Sequence, residues 1–121
     1  MEKTEFNIPI YDFDVLILGI ESKQDKAEAG AILSGFIPNK ESIEEELAHI
    51  EGGAMNGGVT FRNMLRKKFI VVLYPFEDIE TRRMIINHEK RHIEDRLLEY
   101  CGITDAEAAA YLAGYISKFM Y

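Results

Sequence analysis

The chain is short of the features that would place it in several large classes. It has a single cysteine, Cys101, among 121 residues, so no disulfide closes within it, as expected in a reducing cytoplasm. It has no long apolar run. The longest, "VLILGI" (15–20), is far below the ~20 residues that a membrane helix requires. The opening residues, "MEKTEFNIPIY", lack the basic start and apolar core of a signal peptide. Basic residues are outnumbered, with 14 Lys and Arg against 21 Asp and Glu and a net charge of −7. That balance argues against a nucleic-acid binder, because no basic surface is offered to phosphates. The short basic run "RNMLRKKF" (62–69) lies between two apolar segments and reads as a hairpin connection. No repeat or low-complexity tract is present. These absences leave a soluble cytoplasmic protein without membrane or nucleic-acid partners. Its length suits one domain over residues 1–121.

A hydrophobic content of 47% is that of a chain with a real core. "FNIPIYDFDVLILGI" (6–20) is β-branched and aromatic and reads as one extended strand, with a break near Asp12 to Asp14. "KAEAGAILSGF" (26–36) is ambiguous, since its alanines favour a helix that Gly30 and Gly35 weaken. "SIEEELAHI" (42–50) predicts a short helix opened by a Ser42–Glu45 capping box. The glycine-rich link "GGAMNGG" (52–58) is too irregular for a phosphate loop and reads as a flexible connection. "GVTFR" (58–62) and "FIVVLYPF" (69–76) are strands joined by a polar turn. Asp78 then caps a long helix to about Tyr100, which Gly102 stops. Thr104 caps a second helix over 105–120. The expected fold is α+β: a small, mainly antiparallel sheet, a long helix, and a packed C-terminal helix.

The long helix contains "HEKRH" (88–92). Residues i and i+4 share one helix face, so His88 and His92 are placed to grip one ion from the same side. Zinc suits neutral imidazole and lowers the pKa of a bound water to ~7. Glu89 projects ~100° around the helix from His88, where it serves as general base rather than ligand. The apolar side formed by Ile85, Ile86, Ile93 and Leu97 runs beside the histidines. They therefore stand at the edge of the buried face, where a cleft belongs. The plain structural reading is a solvated helix with two boundary histidines among charges.

A third ligand is needed, and the candidates are Glu107, Asp95, Glu99 and His49. Glu99 lies seven residues past His92, about 10 Å along the axis, which is too far. Asp95 is one turn on and suits an outer-shell role. Glu107 approaches from the next helix, yet it also occupies the capping-box position after Thr104. His49 has no partner at ligand spacing and reads as a surface residue. Tyr111, one turn after Glu107, is a candidate oxyanion donor. With Tyr115 and Phe119 it equally forms a core stripe. Cys101 reads as a small buried hydrophobe.

The segments "GGVTF" (57–61), "FIVVLYPF", "HEKRH", "LLEYCGI" (97–103) and "DAEAAAYLAGYI" (105–116) together resemble the small zincin-like metallopeptidases of gluzincin type. These occur among bacteriophage and mobile-element proteins. The resemblance covers the chain from Gly57 onward. It implies zinc bound by His88, His92 and Glu107, with Glu89 as general base in a hydrolase acting on a peptide or protein substrate. One departure from the family is Lys90 and Arg91, where uncharged residues are usual; both should project away from the histidines. An extended substrate would add to "GVTFR" as a further strand. The alternative function is a non-catalytic interaction or structural protein that retains a zincin-like fold.

Overall fold

A computed structural model describes residues 1–37, 41, 43–45, 57–76 and 78–121. Ser42 of the expected capping box, His49, and most of the glycine-rich link lie outside the described residues; 43–45 are helical. In chain order the elements are β1 (Glu2–Ile8), β2 (Phe13–Gly19), α1 (Lys23–Ser34), β3 (Gly58–Asn63), β4 (Lys68–Leu73), α2 (Ile79–Cys101) and α3 (Ala106–Ile116). No described helix is long and apolar enough to cross a membrane.

The four strands form one sheet in the order β1-β2-β4-β3. The outer pairings, β1 with β2 and β3 with β4, are antiparallel, but the central β2–β4 pairing is parallel. The sheet is therefore mixed, with antiparallel pairing still the majority, as expected, and the parallel centre the unexpected element. Both hairpins end on the same side of the sheet, which brings β4 alongside β2 in the same direction. The α+β character holds.

Residues 6–20 form a hairpin, not one interrupted strand. Asp12 adopts φ 54°, a left-handed conformation that aspartate tolerates better than most residues. Its amide donates to the Ile8 carbonyl at 2.7 Å, while the Asn7 side chain donates to Asp12 Oδ1 at 3.2 Å and Asp14 Oδ1 at 2.9 Å. These bonds turn the chain between the strands.

The sheet is covered on both faces. Ala29 and Leu33 of α1 pack with Leu18, Phe61, Ile70 and Val72. On the other face, Ile85, Ile86, Ile93 and Leu97 of α2 and Leu112 and Ile116 of α3 pack with Val15, Phe69, Val71 and Leu73. Burial on both sides explains the unbroken apolar run of β4, whose alternate residues serve opposite layers. Tyr115 and Phe119 join the second core at its edge, with Phe119 stacked on Phe6 at 4.4 Å.

Helix α2 begins and ends as its sequence predicts. Asp78 accepts from the Thr81 amide at 2.7 Å and the Thr81 hydroxyl at 3.0 Å, and these bonds hold its carboxyl below the ordinary value. Gly102 sits at φ 66°. Its amide donates to the Glu99 carbonyl at 3.2 Å and the Ile103 amide to Leu98 at 2.9 Å, the pair of bonds that defines a Schellman stop. Helix α3 starts one residue later than expected. Asp105, not Thr104, is its cap, accepting from the Glu107 amide at 2.8 Å. Cys101, expected in the core, is exposed on the last turn of α2.

Strand β3 approaches α2 closely because it opens with glycines. A Cβ on Gly58 would meet Leu73 Cδ2 at 3.0 Å, Ile85 Cγ2 at 3.1 Å and Glu89 Cγ at 3.2 Å. All three neighbours are themselves packed, so none yields freely. Gly58→Ala is expected to lower stability by about 1–3 kcal/mol through overpacking, read as a lower urea midpoint. An unchanged or raised midpoint would mean that β3 stands further from α2.

Candidate metal centre

The rotation of α2 follows from its four buried aliphatic side chains. With ~100° per residue, the helix then presents Glu89 inward, near the β3 flank, with His88 and His92 just outside it. The two imidazoles face each other: their Nε2 atoms are 3.1 Å apart and their rings meet edge-on at 87°. Two nitrogens bound to one tetrahedral zinc at ~2.05 Å lie about 3.3 Å apart. The observed spacing thus fits chelation. Between neutral rings it equally fits an N–H···N hydrogen bond, with one Nε2 donating to the other.

Glu89 is the buried charged side chain of the described core, 3% exposed. An unpaired carboxylate there would be costly, and a partner is supplied from the sheet. The Thr60 hydroxyl donates to Glu89 Oε2 at 2.9 Å. His88, Glu89 and His92 each offer a donor atom, and these atoms lie within 4.8 Å of one another.

Thr60 was not among the residues singled out from the sequence. Strand alternation places Gly58, Thr60 and Arg62 on one face of β3, and a small hydroxyl facing a helix acid was the available signal. Its partner lies 29 residues away, so nothing local connects them.

Strand β3 is an edge of the sheet. The Tyr74 amide donates to the Gly57 carbonyl at 2.8 Å, so these two residues form a hydrogen-bonded pair. By alternation along the antiparallel ladder, Val59, Phe61 and Asn63 bond to β4. The main-chain groups of Gly58, Thr60 and Arg62 point to the outer edge, where they pair with no other described strand.

The charged residues inside the motif are turned away. Lys90 is about 200° around the helix from either histidine, and its Nζ donates to Ser117 Oγ at 2.8 Å. Arg91 pairs with Asp95 at 3.1 Å on the exposed surface. Further along, burial raises the carboxyl of Glu94 above its ordinary value, against the opposing charges of Lys90 and Arg91.

The remaining described candidates are not in the group formed by His88, Glu89 and His92. Leu112 and Ile116 pack α3 into the core, and the Lys90–Ser117 bond lies on the flank of α2 turned away from the histidines. Glu107 is exposed in the first turn of α3, and the donor group of the described residues does not include it. Tyr111 is 74% exposed on the same helix. Glu99 pairs with Arg96 at 3.4 Å.

The donor set, two facing imidazoles and a nearby carboxylate, fits a divalent transition ion such as zinc. It leaves coordination positions that no described residue fills. Zinc at 100 times its Kd is expected to stabilise the fold by ~2.7 kcal/mol, and His92→Ala should abolish that gain. A zinc-independent unfolding midpoint would contradict the chelate. No family model matches the chain, and neither the curated proteins nor the solved structures compared with it give a match.

Proposed function

We propose that the chain is a zinc-dependent hydrolase that cleaves peptide bonds. The observation that carries this reading is the pairing of two facing imidazoles with a buried carboxylate beside an open strand edge. His88 and His92 would hold the ion through their Nε2 atoms, and Glu89 would act as general base. Zinc held there supplies Lewis acidity, which polarises a carbonyl and lowers the pKa of a water toward ~7.

The residues of the chain account for the other requirements. Thr60 engages Glu89 Oε2, which leaves the second carboxylate oxygen to take a proton. That proton comes from the water whose oxygen attacks the peptide carbon. It then passes to the nitrogen as the C–N bond breaks, so the base is restored. The main-chain groups of Gly58, Thr60 and Arg62, unpaired among the described strands, would align an extended peptide by strand addition. Peptides satisfy such an edge, because they carry the matching amides and carbonyls at strand spacing.

One observation favours a second reading. The donor group among the described residues contains two histidines and Glu89, without a third residue from another element. A non-catalytic interaction protein that binds zinc through the pair would also have this composition. Stoichiometric zinc without turnover would support that reading.

The test is hydrolysis of a broad library of fluorogenic peptides by the zinc-loaded chain. Glu89→Gln is expected to lower the rate by at least ~100-fold, the usual scale for losing a general base, while zinc stoichiometry stays unchanged. Cleavage that survives Glu89→Gln, or a zinc-loaded chain that cleaves nothing, would contradict the proposal.

A further inference from the structure

The geometry points to Thr60 as a positioning residue that keeps the Glu89 carboxylate outside the coordination shell of the metal. This inference rests on the proposed site and concerns how that site assigns its one carboxylate. A glutamate directly after a ligating histidine could serve either as a ligand or as a base. The two roles exclude each other for a given oxygen.

Geometry bears on which role it takes. The imidazole nitrogens are 3.1 Å apart, close to the spacing of two ligands on one tetrahedral zinc, so the histidine pair satisfies a chelate without the carboxylate. The donor atoms of His88, Glu89 and His92 lie within 4.8 Å of one another, a range that extends past the roughly 4.2 Å that two ligands of one zinc can span and has room for a water hydrogen-bonded to the carboxylate at about 2.7 Å.

What holds it there is the sheet. Thr60 lies opposite Val71 in the β3–β4 ladder, and its hydroxyl is fixed to Oε2 at 2.9 Å. The glutamate stem is confined beside Gly58 and Ile85, where a Cβ on Gly58 would already touch Glu89 Cγ at 3.2 Å. The hydroxyl bond to Oε2 restrains the carboxylate against turning toward the histidines. The same residue turns its own amide and carbonyl to the free edge. Thr60 therefore joins strand pairing at the edge to the orientation of the base.

The experiment uses the full chain loaded with cobalt(II), whose visible absorption reports ligand type and number, together with zinc affinity by competition. Thr60→Ser keeps the hydroxyl and should match the wild-type spectrum. Thr60→Val and Thr60→Ala remove it, and both should shift the spectrum and tighten the zinc Kd by about tenfold as the carboxylate joins the shell, opposite in sign to the ~10–100-fold loss usual for outer-shell variants. In a Glu89→Gln background Thr60→Val should have no further effect, since the change acts through the carboxylate. Circular dichroism verifies that each variant is folded, and the two hydroxyl-free variants give independent readings. Wild-type spectra and affinities in both Thr60→Val and Thr60→Ala would overturn the assignment while leaving the metal site intact. A wild-type chain that takes up neither cobalt nor zinc would overturn the proposed function itself, and this assignment with it.

Discussion

Burial of Ile85, Ile86, Ile93 and Leu97 against the sheet fixes the rotation of α2, and the candidate site takes its position from that constraint. Each such side chain contributes about 1.5–3 kcal/mol when fully buried, so no single polar contact competes with the four together. Once this face is turned inward, Glu89 must enter the boundary with β3. His88 and His92 then emerge beside it, and Lys90 is carried to the other flank, where α3 receives it at Ser117. The glycines that open β3 complete the arrangement by letting the strand approach the helix.

Glu89 is the costly element of this design. A leucine or methionine at that position would add apolar burial, whereas a buried carboxylate must be compensated by bonds to its charged form. One hydroxyl bond to a charged group contributes about 1.5–3 kcal/mol, which offsets only part of the several kcal/mol that desolvating an ion costs. A packing role alone does not favour glutamate there. A carboxyl group beside two facing imidazoles is what the proposed acid–base chemistry at a metal would use. The exposed acids of α2 need no such account, because Asp95 and Glu99 pair with arginines at the surface.

Much of this was legible in the sequence because it depends on local chemistry. Asp78 and Gly102 mark the ends of α2, the i and i+4 spacing puts both histidines on one face, and the polar flanks of "GVTFR" mark an edge strand. The features that escaped depend on contacts distant in sequence or on the path of the chain. The charged "EKTE" that opens β1 carries no strand signal, because all four residues are exposed at the sheet edge and none alternates into the core. The parallel pairing of β2 and β4 is set by which way the hairpins are laid side by side. Glu107 carried the signals of both a ligand and a cap. The donor group among the described residues does not include it. Thr60 is recognisable only once Glu89 is known to be buried opposite it.

The proposed site requires that His88 and His92 form a chelate and not merely an imidazole pair. Nitrogen-15 NMR of the two side chains during a zinc titration distinguishes the two. Both Nε2 resonances are expected to move together, with the change complete at one equivalent of zinc. Resonances that stay in place in excess zinc, with the nitrogen–nitrogen coupling of an N–H···N bond between the rings, would contradict it.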